Sequence, residues 1–223
     1  MLSILFILIF SLPMNTNVEK PKLIYVGDPM CSWCYGISEE LSKTVQHFGD
    51  KLEVEVVLGG LRAGGGDKWN DQFKSFLRHH WEDVGMKSGQ PFSFDLLESE
   101  HFEYDTEPAC RAVVVVKQLA PEKTLTFFKE VQKRFYRESE DPKLVDFYKP
   151  ICEGLDINFE IFSTKFGSDE VKIDTKHNFY KSRKLGVNSF PTILIERDGE
   201  FYKVASGYST FNDMKQRIES LIQ

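Results

Sequence analysis

The sequence predicts an α/β fold in which a strand-helix-strand unit near the N-terminus is followed by a large helical insertion, then a strand hairpin and a last helix. Three observations carry this. Two short apolar runs, at residues 23–26 and 52–58, flank a stretch with helical periodicity. Most of residues 62–185 look helical. Strand character returns only at residues 192–195 and 201–204, two runs split by Asp198-Gly199.

Each element follows from local chemistry. Leu23-Ile24-Tyr25-Val26 is apolar and β-branched and stops at Gly27-Asp28-Pro29, a turn sequence that closes a buried strand. Cys34, Ile37, Leu41, Val45 and Phe48 recur at spacings of three and four, the stripe of a helix over residues 31–48 that covers a sheet. Residues 52–58 alternate apolar with acidic and then turn continuously apolar, a second strand. A crossover helix between two strands places them parallel in one sheet. Helices are expected over 69–81, 108–119, 121–137, 142–152, 158–166 and 168–185. Pro108, Pro121 and Pro142 suit first helical turns, and Asp141 and Ser168 suit caps. A final helix is expected from about Thr210 to Ile222. The domains expected are therefore residues 22–61 together with 186–223, and an insertion over 62–185.

Composition excludes several classes. The 223 residues are 41% hydrophobic and 28% charged, as in a globular domain that buries a core. A net charge of −6 with no basic cluster argues against a nucleic-acid partner. The apolar run at residues 2–12 ends at Pro13 and is too short for a membrane span of ~20 residues. With the rest of a leader over residues 1–21 it reads as a signal-peptide core or an over-extended start before Met14. No Lys or Arg precedes it and no small-x-small cleavage site follows, so a cytoplasmic location is favoured over export.

The chemistry is expected at Cys31-Ser32-Trp33-Cys34. A cysteine just after a strand, at the opening of a helix, meets free backbone N–H groups and the positive end of the helix dipole, so its thiolate is favoured. That makes Cys31 a nucleophile. One turn later Cys34 is placed to attack the mixed disulfide that Cys31 forms with a substrate. A zinc site is disfavoured because no second close pair exists: Cys110 and Cys152 are far apart in sequence and His79 and His80 are adjacent. A purely structural disulfide across so short a loop removes little unfolded-state entropy. The pair therefore needs no metal and no organic cofactor. A second element is Ser189-Phe190-Pro191-Thr192, where a proline stands at the mouth of a strand. A trans proline opening the strand is the simpler reading, a cis X-Pro turn the alternative.

Three segments match a known family. Gly27-Asp28-Pro29-Met30-Cys31-Ser32-Trp33-Cys34-Tyr35-Gly36 closely resembles the active-site segment of DsbA-like thioredoxin-superfamily proteins, especially the FrnE-like branch. Gly186-Val187-Asn188-Ser189-Phe190-Pro191-Thr192 resembles that family's cis-proline loop, and Thr106-Glu107-Pro108-Ala109-Cys110-Arg111-Ala112 a stretch of its helical insertion. The resemblance runs from about Lys22 to Leu221. It implies a thioredoxin fold with a large helical insertion between the second and third strands, acting as a thiol-disulfide oxidoreductase. It further implies that Cys31 and Cys34 are catalytic, and that a cis Pro191 sits beside Cys31. Phe190, Pro191, Ser32 and Trp33 then shape the substrate cleft. Partners would be protein or small-molecule thiols and disulfides, with a redox partner the sequence does not identify. The Ser-Trp dipeptide departs from most exported DsbA enzymes, so the resemblance leaves the making, breaking or reshuffling of disulfides open.

Two other functions fit the same fold class. One is a glutathione-dependent isomerase of the 2-hydroxychromene-2-carboxylate isomerase type, which the intact cysteine pair argues against. The other is a holdase chaperone using the insertion. Cys110 and Cys152 read as buried inert thiols that would pair only in an exported protein. Asp28 reads as a turn former rather than a proton carrier for Cys34. Gly64-Gly65-Gly66 lacks a phosphate-loop context and reads as a flexible joint. Trp69, Phe73, Phe76, Leu77 and Trp81 form an aromatic stripe expected in the core.

Overall fold

The structure is a computed structural model that describes residues 20–223. The expected apolar run at 2–12, and all but the end of the 1–21 leader, lie outside those residues. The chain runs β1 (Lys22–Gly27), α1 (Ser32–Gly36), α2 (Ser38–Phe48), β2 (Glu53–Leu58), α3 (Asp71–Ser88), α4 (Asp95–Glu98) and α5 (Glu107–Leu119). It continues through α6 (Thr124–Glu138), α7 (Lys149–Gly154), α8 (Phe159–Gly167), α9 (Asp169–Lys184), β3 (Thr192–Arg197), β4 (Glu200–Ser206) and α10 (Phe211–Ile222).

The four strands form one sheet in the order β2-β1-β3-β4. β1 and β2 are parallel, as a crossover helix requires, with Tyr25 opposite Val56. β3 runs antiparallel to β1, and β4 to β3. The hairpin between them turns on Asp198 and Gly199, both at positive φ, as a tight two-residue turn demands. This is the thioredoxin fold with a large helical insertion between its second and third strands. Because β1 is central and helices cover its faces, its residues from Leu23 onward are buried on both sides. Leu23 and Tyr25 join the main core with Val56, Leu58, Ile193 and Ile195, while Ile24 and Val26 join a smaller cluster with Val57, Val187 and Leu194.

The insertion is organised by α5, whose Val113, Val114, Val115 and Val116 are all buried. Four consecutive buried valines leave that turn of the helix no open face, and α5 packs against α6, α8 and α9. Beside it an aromatic cluster ties the insertion to the strand-helix unit. Tyr35 stacks on Tyr136 at 5.0 Å, and Trp81 meets Tyr136 edge-on at 5.2 Å.

Four expectations are corrected. The helix expected over 31–48 breaks at Ile37 into α1 and α2. Gly36 at the break lets α3 come close, since a Cβ there would lie 2.7 Å from Val84. The helix expected over 142–152 is a turn, a short 3-10 segment at Val145–Tyr148, and α7. Pro150 has no N–H to continue a helix from upstream, so a new one starts around it. Asp141 accordingly caps a turn, accepting from the Lys143 N–H at 2.9 Å. Within the aromatic stripe, Leu77 and Trp81 are buried but Phe76 is 45% exposed, and Trp69 precedes the helix. The glycine joint is tethered, Gly64 N–H donating to Asp105 Oδ1 at 2.7 Å and Arg62 N–H to Thr106 Oγ1 at 3.1 Å. Among the described residues no helix is long and apolar enough to cross a membrane.

Candidate active site

Cys31 sits at the N-cap of α1, where β1 has ended and the chain turns back over the sheet. The turn is closed by the Cys31 N–H donating to the Asp28 carbonyl at 3.0 Å. The Cys31 carbonyl then accepts the Tyr35 N–H at 3.1 Å, the first bond of the helix. This local wiring leaves both cysteines buried, Cys31 5% exposed as a residue and Cys34 sealed. Both are free thiols, and their sulfurs are close enough to interact. Burial holds the Cys34 thiol well above the ordinary thiol range, and its neighbour Cys31 pushes the same way. A thiol that stays protonated until a partner disulfide is presented suits a second, resolving step.

The floor under Cys34 admits no extra atoms. A Cβ on Gly27 would lie 2.7 Å from the Tyr25 hydroxyl and 3.2 Å from the Cys34 sulfur. Glycine at this strand end is therefore a requirement of close approach. Tyr25 is itself fully buried, and its hydroxyl is pushed well above its ordinary value by burial and then by Cys34.

The opposite wall comes from the loop before β3. The Phe190–Pro191 peptide is cis, the arrangement that the resemblance implied and that the residues alone did not favour. The Phe190 carbonyl faces the Cys31 sulfur at 3.6 Å, within thiol hydrogen-bonding range. Pro191 is buried, and its carbonyl accepts the Gly207 N–H at 2.8 Å, tying the loop to the end of β4. The Phe190 ring lies against Gly59, where a Cβ would come within 2.1 Å of it. Gly59 in turn donates its N–H to the Gly27 carbonyl at 2.8 Å, prolonging the parallel ladder. Ser32 and Trp33, in the first turn of α1, are half-buried at the rim. The structure thus gathers Cys31, Cys34, Phe190, Pro191, Ser32 and Trp33 at one corner.

Two features escaped the sequence. The Tyr104 hydroxyl, from the insertion, donates to the Met30 carbonyl at 2.7 Å and so braces the loop before Cys31. Asp28 does form the expected turn, accepting the Met30 N–H at 2.8 Å, but it is also completely buried and reaches Leu61 and Cys110. No local pattern announces a contact between residues so far apart in the chain. Cys152 lies elsewhere, buried in α7, its thiol pushed up to about 12 by burial.

No protein-family model matches the sequence, and a search of curated proteins finds no relative. Solved structures do match. A Nitrosomonas europaea protein assigned to the protein disulfide isomerases is 34% identical, with a TM-score of 0.85 over 92% of this chain and 98% of that one. The cytosolic disulfide reductase DsbM of Pseudomonas aeruginosa is 24% identical, with a TM-score of 0.74 over 90% and 98% of the two chains. A 2-hydroxychromene-2-carboxylate isomerase shares the fold at 15% identity, with a TM-score of 0.61 over 90% and 94%. With a relative a third identical over nearly its whole length, and a reduced cysteine pair facing a cis-proline loop, the chain belongs to the DsbA-like thiol-disulfide oxidoreductases of the thioredoxin superfamily.

Proposed function

We propose that the protein exchanges disulfides on protein or small-molecule substrates through Cys31 and Cys34, as a member of the FrnE-like branch working in the cytoplasm. The thioredoxin-like part comprises residues 22–61 and 186–223, with 62–185 as the insertion. Cys31 attacks the substrate disulfide and forms a mixed disulfide; Cys34 attacks the Cys31 sulfur and releases the substrate thiol. Phe190 presents its carbonyl to the incoming chain, Pro191 fixes the wall beside Cys31, and Ser32 and Trp33 form the rim. The observation that carries this reading is the pair of free thiols in contact at the start of α1, the Cys31 sulfur facing the Phe190 carbonyl at 3.6 Å and Cys34 sealed beneath. The cytoplasmic assignment is supported by DsbM, a cytosolic reductase of the same fold.

The test is to equilibrate the protein with glutathione redox buffers, alkylate free thiols and weigh the intact chain. A Cys31–Cys34 disulfide that forms and disappears with the poise supports the reading. Cys34→Ser should then accumulate a mixed disulfide on Cys31. A pair that stays reduced at every poise sinks it and returns the glutathione-dependent isomerase reading, for which the structural likeness gives the fold alone.

A further inference from the structure

Asp28 is the only buried carboxyl among the described residues, and two backbone N–H groups, a thiol and a hydroxyl surround it. Oδ1 accepts the Met30 N–H at 2.8 Å, from the loop that carries Cys31. Oδ2 accepts the Leu61 N–H at 2.7 Å, from the entry to the insertion. Oδ2 also receives the Cys110 thiol at 3.4 Å, from the first turn of α5, with the Thr106 hydroxyl alongside. Thr106 Oγ1 already accepts the Arg62 N–H, which leaves its own proton free to point at Asp28. The two backbone N–H groups, one on each carboxyl oxygen, cannot accept and so favour the carboxylate, to which the Cys110 thiol and the Thr106 hydroxyl also donate.

We propose that Asp28 and Cys110 are positioning residues for the thiol pair: a carboxylate held by three chain segments, Cys110 being the contribution of the insertion, keeps a fixed negative charge behind the Cys31 loop and biases the pair toward giving up electrons. The proposal rests on the thiol-pair reading above and adds its direction. In the exchange, the Cys31 thiolate and the Cys34 thiol react with a substrate disulfide to give the Cys31–Cys34 disulfide, one substrate thiolate and one substrate thiol. Two electrons pass to the substrate, the Cys34 proton goes to the second leaving sulfur, and the negative charge departs with the first. A fixed charge in the same poorly solvated loop opposes the charged reactant and favours its departure.

The other titratable groups facing Asp28 are Tyr25 from β1, Cys31 and Cys34 from the active-site turn, Tyr104, Tyr136 from α6, and Cys110, with Arg62 near Tyr104 and Glu107 near Cys110. Burial pushes Tyr25, Tyr104, Tyr136, Cys34 and Cys110 upward, so none of them competes for charge at neutral pH. Burial raises Asp28 above the ordinary carboxylate value on balance, and its hydrogen bonds, Leu61 first, oppose that rise in part.

The experiment measures the Cys31–Cys34 potential in glutathione buffers across pH, together with the rate of Cys31 alkylation by iodoacetamide. Asp28→Asn keeps the shape and removes the charge. It should make the pair at least about tenfold easier to reduce, about 30 mV for a two-electron couple, and speed Cys31 alkylation at neutral pH. The wild-type potential should bend with pH where Asp28 titrates. Cys110→Ala should move that bend to higher pH, and Cys110→Ser, which restores a donor, should return it. A folded Asp28→Asn protein with wild-type potential and alkylation rate overturns the proposal, as does a Cys110→Ala curve superimposable on wild type. If Asp28→Asn does not fold, the two Cys110 variants decide. If no buffer oxidises the wild-type pair, the thiol-pair reading fails by itself, and the alkylation rates still report the Asp28 charge.

Discussion

Around Cys31 the chain is held by its backbone. Gly27 and Gly59 let neighbouring groups approach to contact distance, the Phe190 carbonyl faces a sulfur, and the buried carboxyl of Asp28 is satisfied by N–H donors. In the insertion the holding is done by side chains, with Trp81, Phe92, Phe135 and Tyr136 interlocked at centroid distances of 4.8–6.1 Å. Both regions are dry, yet they respond differently to change. Removing a ring from the insertion leaves a cavity, which costs stability and leaves the chemistry alone. Replacing a reacting atom at Cys31 alters the chemistry at small cost in stability.

The most direct way to break that contrast is Cys31→Ser. Disulfide exchange should fall on the order of a thousandfold or more, because a hydroxyl does not replace a thiolate nucleophile, while the thermal midpoint stays within a few degrees. A large loss of stability here would mean the corner is as structural as the insertion. Its counterpart is Trp81→Ala, which empties a fully buried site. It should cost about 3–5 kcal/mol of stability by urea unfolding with the Cys31–Cys34 potential unchanged in the folded protein. A shifted potential would show that the two regions are coupled through Tyr136 and Tyr35.

Gly59→Ala sits on the boundary. The added methyl meets the Phe190 ring, so either the ring or the loop moves. We expect about 1–3 kcal/mol of overpacking cost and roughly a tenfold drop in kcat/KM, since the Phe190 carbonyl is displaced from Cys31. Loss of stability with unchanged kcat/KM would place the Phe190 carbonyl outside the reaction.

The same contrast explains what could be read in advance. The strands, α2, α9 and α10 were legible because periodicity, caps and turn residues are local: Ser168 and Thr210 cap α9 and α10 as their chemistry suggests. The cysteine pair was legible because its spacing is local, and the structure brings its two sulfurs within reach of each other. The bracing by Tyr104 and the burial of Asp28 were not, because each depends on residues 74 and 82 positions apart meeting in space. The break at Ile37 falls beside Gly36, which lies against Val84 of α3, another contact between residues far apart in the chain. The cis state of Pro191 was reachable only through likeness to a family, since X-Pro bonds are mostly trans.

Cys152 sharpens the comparison among thiols. It is sealed in α7 and its thiol is pushed up to about 12 by burial, so at neutral pH it is protonated and out of reach. Brief iodoacetamide treatment of the native protein should label Cys31 and leave Cys152 unlabelled, and Cys152→Ala should cost about 1 kcal/mol with exchange activity intact. Labelling of Cys152 at a comparable rate would mean that α7 opens readily, and the insertion would not be the rigid body its packing implies.

The smallest expected effect tests whether charge matters away from the buried corner. Glu40, on α2, accepts the Phe211 N–H at 2.6 Å and so fastens the start of α10, and it pairs with Lys43. The Lys43 hydrogen bond, and then the Phe211 N–H, hold its carboxyl below the ordinary value. A folded-state value below the unfolded one gives stability that is present above the unfolded value, about 4.3 for a glutamate, and is lost as pH falls through the folded value. Because Lys43 is exposed and Glu40 only half-buried, screening limits the gain to about a few tenths of a kcal/mol. Glu40→Gln keeps the acceptor for Phe211 and removes only the charge. Urea midpoints should therefore differ slightly between the two proteins at pH 7 and coincide near pH 3. A difference that persisted in acid would assign the contribution of Glu40 to packing, and charge would then matter to this protein only where, as at Asp28, water is kept out.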